Sequence, residues 1–541
     1  MNKIAMIAAA GKGSRMLSLT ENNPKAMLPF NSKPIIGHHL DYLIEEGFTD
    51  VVIVVGYQKE KLINYVNEFY KDKIKVRFAE QKELNGLAGA IHNGIEILTE
   101  YEIKNASLLI LLGDIVLEEK LYNYHYDYVG YDIAEDWSRW CLIETNEADD
   151  VIRFIDKPDE KPNTRRVLMG VYNITDIEMF EDSLNHIISS GKRIRNEFQL
   201  SQVLEQYMKF GGTIHARPIS RYHDLGELHT LNKTRKNITR HFNSITSTDD
   251  NTIIKSSSNI EKIQKEIDWF VHLDMVLSLY VPHMVSFDYA KGIYELEFIH
   301  SNPLQELYLF NLPETHEWIN IFKTIKKYID KSKKVPIKCD LNQDNYLIMF
   351  KKTIERVELL KEYEFAKKDF ITINNITYKN PIRHLDTILE LVKKKFCHNS
   401  EKYFSNIHGD LFFGNMLYDI STNSLKIVDP RGEYGRWCNQ GDIRYDIAKL
   451  NHSINGYYDF IINGLYFLEE KNDEFFYHFY ESKQNEAKEI FKCLILKDYD
   501  EQEINLLTGL LFLTMIPLHS ENPKNQKMQF IRAVEILNNF I

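Results

Sequence analysis

Cysteine is scarce, with five in 541 residues (Cys141, Cys339, Cys397, Cys438 and Cys493), and none falls in a Cys-x-x-Cys or other ligand spacing. That argues against a disulfide framework and against a zinc site, and it points to a reducing, cytoplasmic setting. An excess of basic charge is lacking as well. Lys and Arg number 66 against 78 Asp and Glu, a net charge of −12. This disfavours a protein built to coat nucleic acid or an anionic membrane, while leaving room for a local basic pocket. No long apolar run is present. The longest near the C-terminus, residues 506–518, contains Gly509 and Pro517, falls short of the roughly 20 residues a bilayer requires, and reads as a core helix. The apolar stretch at residues 4–10 runs directly into Gly11-Lys12-Gly13 with no cleavage-site pattern, so no export signal is expected. Repeats and low-complexity tracts are likewise absent.

A chain of 541 residues is long enough to bury substantial cores, and at about 150 residues per domain it suggests several units. Up to about residue 230, short β-rich runs (Ile4-Ala5-Met6-Ile7, Val51-Val52-Ile53-Val54-Val55, Val76-Arg77-Phe78, Leu108-Leu109-Ile110-Leu111-Leu112) alternate with helix-like segments. This pattern predicts an α/β fold with a mostly parallel, Rossmann-like sheet. Residues 232–251 are polar and lack a long apolar run, which places a linker between a first domain at 1–231 and a second at 252–541. The second begins with a β-like run, a helix-like stretch and another β-like run. The rest is mainly helical, interrupted around 405–432 by a dense loop-and-strand segment, so an α+β class is expected. Asp340-Leu341-Asn342-Gln343-Asp344-Asn345 reads as a turn.

Ala8-Ala9-Ala10-Gly11-Lys12-Gly13-Ser14-Arg15-Met16 follows a predicted strand. There the backbone N–H groups of small residues such as Ala9, Gly11 and Gly13 cradle phosphate at a helix start. Two common readings fail: a dinucleotide fingerprint needs glycine where Met16 stands, and a P-loop needs Ser or Thr after Lys12, where Gly13 stands. Pro24-Lys25 adds a second cation after Arg15.

The combination of this loop with Pro24-Lys25-Ala26-Met27-Leu28 resembles the sugar-phosphate nucleotidyltransferase family, which joins a nucleoside monophosphate to a phosphorylated small molecule and releases pyrophosphate. Further segments extend the resemblance over most of residues 1–230. Gly86-Leu87-Ala88-Gly89-Ala90-Ile91 is similar to the family's loop around the base, with Gln81 as a base contact. Leu111-Leu112-Gly113-Asp114 carries the first magnesium-binding aspartate. Phe154-Ile155-Asp156-Lys157-Pro158 resembles the Glu-Lys-Pro segment whose lysine holds the acceptor phosphate, with Asp156 replacing the glutamate. His223-Asp224-Leu225-Gly226 is similar to the segment of the second metal aspartate. These residue types suit the chemistry. A phosphate monoester approaching the α-phosphate of a nucleoside triphosphate brings like charges together, which fixed cations (Arg15, Lys25, Lys157) neutralise. Asp114 and Asp224 offer the oxygen ligands that Mg²⁺ prefers. No protein nucleophile is needed.

A second constellation lies near the other end of the chain. Ile407-His408-Gly409-Asp410-Leu411-Phe412-Phe413-Gly414-Asn415 sets an aspartate five residues before an asparagine, and Leu425-Lys426-Ile427-Val428-Asp429-Pro430-Arg431 ends a strand on a second aspartate. Phosphoryl transfer from ATP calls for such a set: a carboxylate to orient the acceptor hydroxyl, and an amide and a carboxylate to hold Mg²⁺ on the phosphates. The spacing resembles the aminoglycoside phosphotransferase and choline kinase superfamily, implying a bilobal kinase-like fold. On that resemblance Asp410 is the catalytic base, Asn415 and Asp429 are metal ligands, His408 braces the loop and Asp446 anchors it. Lys255 and Glu266, with Glu261 as the alternative partner, are candidates for the ion pair that positions ATP phosphates. Two features depart from the protein-kinase pattern: residues 244–251 contain no glycine, and Asp-Pro-Arg stands in place of Asp-Phe-Gly. The first leaves the phosphate-covering turn to Ser, Thr, Asp and Asn, and the second points to a small-molecule kinase.

Together the two sites imply a bifunctional enzyme. ATP phosphorylates a small hydroxyl compound, and a second nucleoside triphosphate, CTP or UTP foremost, converts the resulting phosphate into a nucleoside diphosphate derivative for surface polysaccharide. One alternative is a CTP:phosphocholine or phosphoethanolamine cytidylyltransferase fused to a choline or ethanolamine kinase, for which Tyr434, Trp437 and Tyr445 could supply an aromatic cage. Others are an active transferase carrying a non-catalytic kinase-like module, and a nucleotide sensor without turnover. Expected partners are these nucleotides and a phosphorylated sugar or amino-alcohol, with no nucleic acid and no membrane insertion. The sequence is compatible with an oligomer.

Overall fold

A computed structural model describes the chain except residues 1, 14–19, 21–22, 32, 122–124, 136, 139, 157, 159, 161, 227–243, 248–250, 334–340, 481–483 and 521, with backbone alone for 244–247. Two compact units divide it, Met1–Arg235 and Lys236–Ile541.

In the first unit the apolar runs become strands because they are buried on both faces, as a sheet covered by helices requires. Asn2–Ala8, Asp50–Val55, Lys75–Glu80 and Ala106–Leu112 are joined through the helices Ile35–Glu45, Lys59–Phe69 and Leu87–Ile95. They pair in parallel in the order Lys75–Glu80, Asp50–Val55, Asn2–Ala8, Ala106–Leu112. The sheet continues with antiparallel pairing through Arg166–Ile174, which meets Ala106–Leu112, Tyr128–Ile133 and Cys141–Thr145. It is mixed α/β with its central strands parallel. The chain winds outward from Asn2–Ala8 through two strands and then places Ala106–Leu112 on the opposite side. The strand order therefore reverses between these two central strands, and a crevice opens beyond their carboxyl ends.

The second unit begins with a four-stranded antiparallel sheet in the order Ser244–Ser247, Thr252–Ser256, Ile293–Glu297, Met284–Asp288. The helix Ile260–Val271 starts where the Asn259 side chain accepts from Lys262 N, and it packs Ile263 and Ile267 on Tyr294 and Leu296. The remainder is rich in helices, among them Thr315–Ser332, Ile443–Ile454, Glu501–Met515 and Pro523–Leu537. The stretch at 506–518 is a core helix followed by a 3-10 turn at Ile516–His519. Among the described residues no helix is long and apolar enough to cross a membrane. The mainly helical expectation missed one sheet. Phe370–Ile373, Ile376–Lys379, Tyr466–Lys471 and Glu474–Phe479 pair with one another although about 90 residues of chain separate the two hairpins.

Candidate functional sites

The crevice of the first unit is built mainly from backbone. The turn after Ala106–Leu112 packs on the first strand, where Gly113 N donates to Ala8 O at 3.1 Å. A Cβ on Gly113 would sit 2.8 Å from that same carbonyl oxygen, so only glycine fits. Asp114 is thereby held at the strand end. Ile115–Leu117 pairs antiparallel with Tyr222–Asp224, and Leu225 N donates to Asp114 O at 2.9 Å, which brings the second aspartate alongside the first. A Cβ on Gly226 would lie 2.8 Å from Asp224 Oδ1 and 3.6 Å from Asp114 Oδ2, so both carboxylates converge on that residue. Lys25 donates from Nζ to Asp114 Oδ2 at 2.7 Å and to Gly226 O at 2.8 Å.

A cavity of about 440 Å³ brings together Ala9, Gly11, Gly13, Lys25, Gln81, Gly86 and Asp114. A neighbouring one of about 180 Å³ shares Asp114 and Gly226 with it and adds Asp156, Tyr172 and Asp224. Gln81 is buried and donates from Nε2 to Asn85 Oδ1 and Gly86 O, each at 3.0 Å. Gly86 itself has φ +110°, and a Cβ there would meet the Phe198 backbone at 2.6 Å. Arg15 and Lys157 lie outside the described residues. No cluster of three or more His, Cys, Asp or Glu suited to a metal occurs among the described residues. The donor set offered by Asp114 and Asp224 is two hard oxygens, which fits Mg²⁺, an ion that keeps waters and takes substrate phosphates as further ligands.

The second unit assembles its site from side chains. Lys255 lies opposite Tyr294 in the strand register. Its Nζ contacts Glu266 Oε2 at 2.7 Å and Asp429 Oδ1 at 2.9 Å. Tyr294 OH donates to the same Glu266 Oε2 at 2.6 Å. Lys255 and Glu266 are 4% and 1% exposed, so loss of either would strand a buried charge. Glu266 is thus the partner of Lys255; Glu261 instead pairs with Lys265 on the outer face at 2.8 Å. The Asp429 carboxylate stands on a left-handed backbone (φ +57°), a conformation that costs a non-glycine residue energy and gathers at functional positions.

Asn415 lies at the open end of the hairpin formed by Met416–Asp419 and Ser424–Ile427, where Val428 N donates to Asn415 O at 2.9 Å. Its Nδ2 donates to Asp410 O at 3.0 Å and to Asp410 Oδ2 at 3.2 Å. The loop before Asp410 is pinned from below. Asp446 Oδ2 accepts from His408 N at 2.7 Å and its Oδ1 from Gly409 N at 2.8 Å. Burial pushes the Asp446 carboxyl up to about 7, against the pull of those two donors. Burial likewise lowers His408 to about 4. The imidazole is neutral, its Nε2–H facing Val428 O at 3.0 Å, which ties the loop to the residue after Ser424–Ile427.

Lys255, Glu266, Asp410, Asn415 and Asp429 line one cavity of about 420 Å³. Four further members of its wall escaped the sequence reading: Lys352, Arg356, Arg431 and Lys449. Lys449 Nζ reaches Asp410 Oδ1 at 2.9 Å, and its position three residues after Asp446 on one helix face was the available signal. One other expectation is corrected. Residues Leu341–Asn345 are helical rather than a turn. Within that helix Asp344 accepts from Arg436 and Trp437 Nε1, while Asn345 accepts from Tyr434 OH at 2.7 Å and donates to Asp442 Oδ2 at 2.8 Å. Tyr434 is buried with its hydroxyl on Asn345 and its ring edge-on to Tyr445 at 5.7 Å, while Trp437 gives its N–H to Asp344; of the three aromatics Tyr445 lines the cavity. No disulfide joins the described cysteines, Cys141, Cys397, Cys438 and Cys493.

A glycine-lined crevice at the switch point of a parallel sheet, holding a lysine among carboxylates, defines a polyphosphate-handling α/β enzyme in the first unit. Residues 4–241 match the model of a family described as nucleotidyl transferase. The chain is 30% identical over 223 residues to UTP--glucose-1-phosphate uridylyltransferase AglF of Haloferax volcanii, covering 39% of this chain and 86% of the relative. It is 30% identical over 207 residues to bifunctional protein GlmU of Methanocaldococcus jannaschii, covering 38% of this chain and 47% of that one, so it spans about half of that relative's length. Among solved structures, CTP:phosphocholine cytidylyltransferase from Streptococcus pneumoniae matches with a TM-score of 0.37 at 21% identity, over 43% of this chain and 98% of that one. The chain belongs to the nucleotidyl transferase family, and its first unit is a nucleotidyltransferase.

Proposed function

We propose that the chain couples two reactions: its second unit phosphorylates a small hydroxyl compound with ATP, and its first unit joins the resulting phosphate ester to a nucleoside triphosphate with release of pyrophosphate. The observation that carries the first half of this reading is the convergence of Lys255, Glu266 and Asp429 with Asn415 and Asp410 in one cavity. In a bilobal kinase-like fold, Lys255, held by Glu266, faces the nucleotide phosphates. Asp410 accepts the acceptor's hydroxyl proton, and Asn415 and Asp429 are the residues that would hold Mg²⁺ there. In the first unit the peptide N–H groups around Ala9, Gly11 and Gly13 take the triphosphate, and Gln81 and Gly86 sit at the base. Lys25, with Arg15 and Lys157, neutralises the approaching phosphate monoester, and Asp114 and Asp224 would hold Mg²⁺. The ion supplies charge neutralisation and in-line alignment when bound.

The name of the 30% identical Haloferax relative, a UTP--glucose-1-phosphate uridylyltransferase, supports a sugar phosphate as acceptor in the first unit and UTP as donor, with CTP as the alternative. An activated sugar of this kind suits surface polysaccharide synthesis. The test crosses CTP, UTP, dTTP and GTP with sugar 1-phosphates, phosphocholine and phosphoethanolamine and reads pyrophosphate, with ADP formation from ATP and free alcohols read in parallel. Release with a sugar 1-phosphate is the expected outcome. Release with CTP and a phospho-amino-alcohol alone overturns the sugar assignment, and failure to form ADP from any alcohol overturns the kinase half.

A further inference from the structure

The cavity around Asp410 carries more cations than carboxylates, with Lys255, Lys262, Lys352, Arg356, Arg431 and Lys449 against Glu266, Asp410 and Asp429. Lys255 is matched by Glu266 and Asp429, and Lys449 by Asp410. Lys262 lies 3.8 Å from Glu266, whereas the three other cations of the same wall, Lys352, Arg356 and Arg431, have no carboxylate within salt-bridge distance among the described residues. Arg356 spends one N–H on Thr514 O at 3.3 Å. Arg431 spends one on Tyr445 OH at 3.1 Å, and its Nη2 is buried with no hydrogen-bond partner among the described residues. Since a buried guanidinium nitrogen left unpaired costs free energy, its persistence here marks a place where an acceptor group belongs.

The three charges also oppose one another. Burial, then Arg431 and Arg356, draws the Lys352 ammonium down to about 8, with Lys449 adding to the effect and Glu433 opposing it. Burial and Arg431 lower Arg356 as well. The backbone leading into Lys352 is itself unusual. Tyr346–Lys351 is wound as a π-helix, a form concentrated at functional sites. It places Ile348 and Met349 on the cavity wall, which Leu507 and Leu511 also line. The chamber thus offers an apolar surface for a carbon skeleton, a cationic corner, and Asp410.

We propose that the phosphoryl acceptor of the second unit is an anionic alcohol, a hydroxyl compound bearing a carboxylate or phosphate that Lys352, Arg356 and Arg431 bind while its hydroxyl meets Asp410. In the transfer, the bond between the γ-phosphorus and the β–γ bridging oxygen breaks and a bond from the acceptor oxygen to phosphorus forms. The hydroxyl proton passes to the Asp410 carboxylate and ADP leaves. A cationic amino-alcohol such as choline would meet like charge in this corner. The inference rests on the kinase reading above and narrows its substrate.

The test uses the full chain with Mg-ATP and matched alcohols: glycerate, glycerol 3-phosphate and glucuronate as anions, glycerol and glucose as neutral partners, and choline as the cation. ADP formation is expected to show kcat/KM for at least one anion tenfold or more above every neutral or cationic member. Lys352→Met and Arg356→Met should raise KM for that anion at least tenfold more than KM for ATP, with Lys352→Arg recovering most of the loss. Equal or better use of choline or a neutral alcohol overturns the inference while the kinase reading stands, as does a rise in KM for ATP equal to that for the acceptor. Thermal-shift titration with glycerate and glycerol 3-phosphate gives a readout without turnover. Stabilisation that Lys352→Met abolishes, with no ADP from any alcohol, keeps the anion site and sinks the kinase reading. Stabilisation by Mg-ATP but by neither anion does the reverse, and silence in both assays overturns both.

Discussion

On the proposed function the two units meet the same electrostatic problem, holding polyphosphate against a nucleophile, and they would do so with different materials. The first relies on backbone: glycines at Gly86 and Gly113 let main chain approach main chain, and its lysine is shared between one carboxylate and one carbonyl. The second relies on buried side chains, where Lys255, Glu266, Tyr294 and Asp429 form one network and Asp446 holds the loop beneath Asp410. A backbone-built site is sensitive to added volume. A network-built site is sensitive to lost charge and lost acceptors, because low-polarity surroundings magnify each unpaired group.

The largest expected effect tests whether the two sites are independent. Asp410→Ala should cut ADP formation by about 10³-fold and spare pyrophosphate release from a supplied phosphate ester, with Asp114→Ala doing the reverse. One substitution abolishing both half-reactions in a folded chain would erase the comparison. Next, Asp446→Ala removes the carboxylate that satisfies two buried N–H groups. The second unit should lose about 2–3 kcal/mol in denaturant unfolding, together with most of its phosphoryl transfer, while the first unit keeps its melting transition. In the first unit the corresponding probe is Gly86→Ala. Its Cβ would press on the Phe198 backbone at 2.6 Å with φ at +110°. A cost of about 1–3 kcal/mol, read as a higher KM for the nucleoside triphosphate, sharpens the contrast; unchanged kinetics would contradict it.

The smallest effect runs in the opposite direction. Lys352 gives up its proton near 8 when folded, against about 10.5 in the unfolded chain. Between those values the unfolded chain binds more protons, so stability rises with pH across that window. Below it the charged Lys352 is a cost, and Lys352→Met should raise Tm by about 2–4 °C. A lowered Tm would show that the charge is compensated in the free protein.

Much of the first unit was legible because its signals are local. Runs such as Leu108 to Leu112 announce buried parallel strands, and the glycine loop and Asp114 sit directly after two of them. Asp410, Asn415 and Asp429 could be picked out together for a similar reason, since Asn415 and Asp429 flank one hairpin and Asp410 stands in the loop just before it. Contacts that depend on distant chain were not. Nothing near Lys352 or Arg356 in sequence distinguishes them from solvated helix charges until the fold brings Arg431 beside them. Asp344 and Asn345 looked like turn residues, and they form a helix because Arg436, Trp437, Tyr434 and Asp442 satisfy their side chains in the interior. The sheet made by 370–379 and 466–479 was hidden by sequence separation alone.

The lysine at position 25 touches a carbonyl at position 226, and the strand before that carbonyl latches onto the residues following Asp114. This gives the first unit an order of completion. A ribosome must release almost the whole unit before Lys25 has both partners, and a chain halted at residue 220 would possess the sheet, the glycine loop and Asp114 yet lack the Gly226 carbonyl. Closing so long a loop is slow relative to forming the local helices. The unit's activity should therefore appear late and abruptly during synthesis, which makes pyrophosphate release a reporter of the last folding event in residues 1–235.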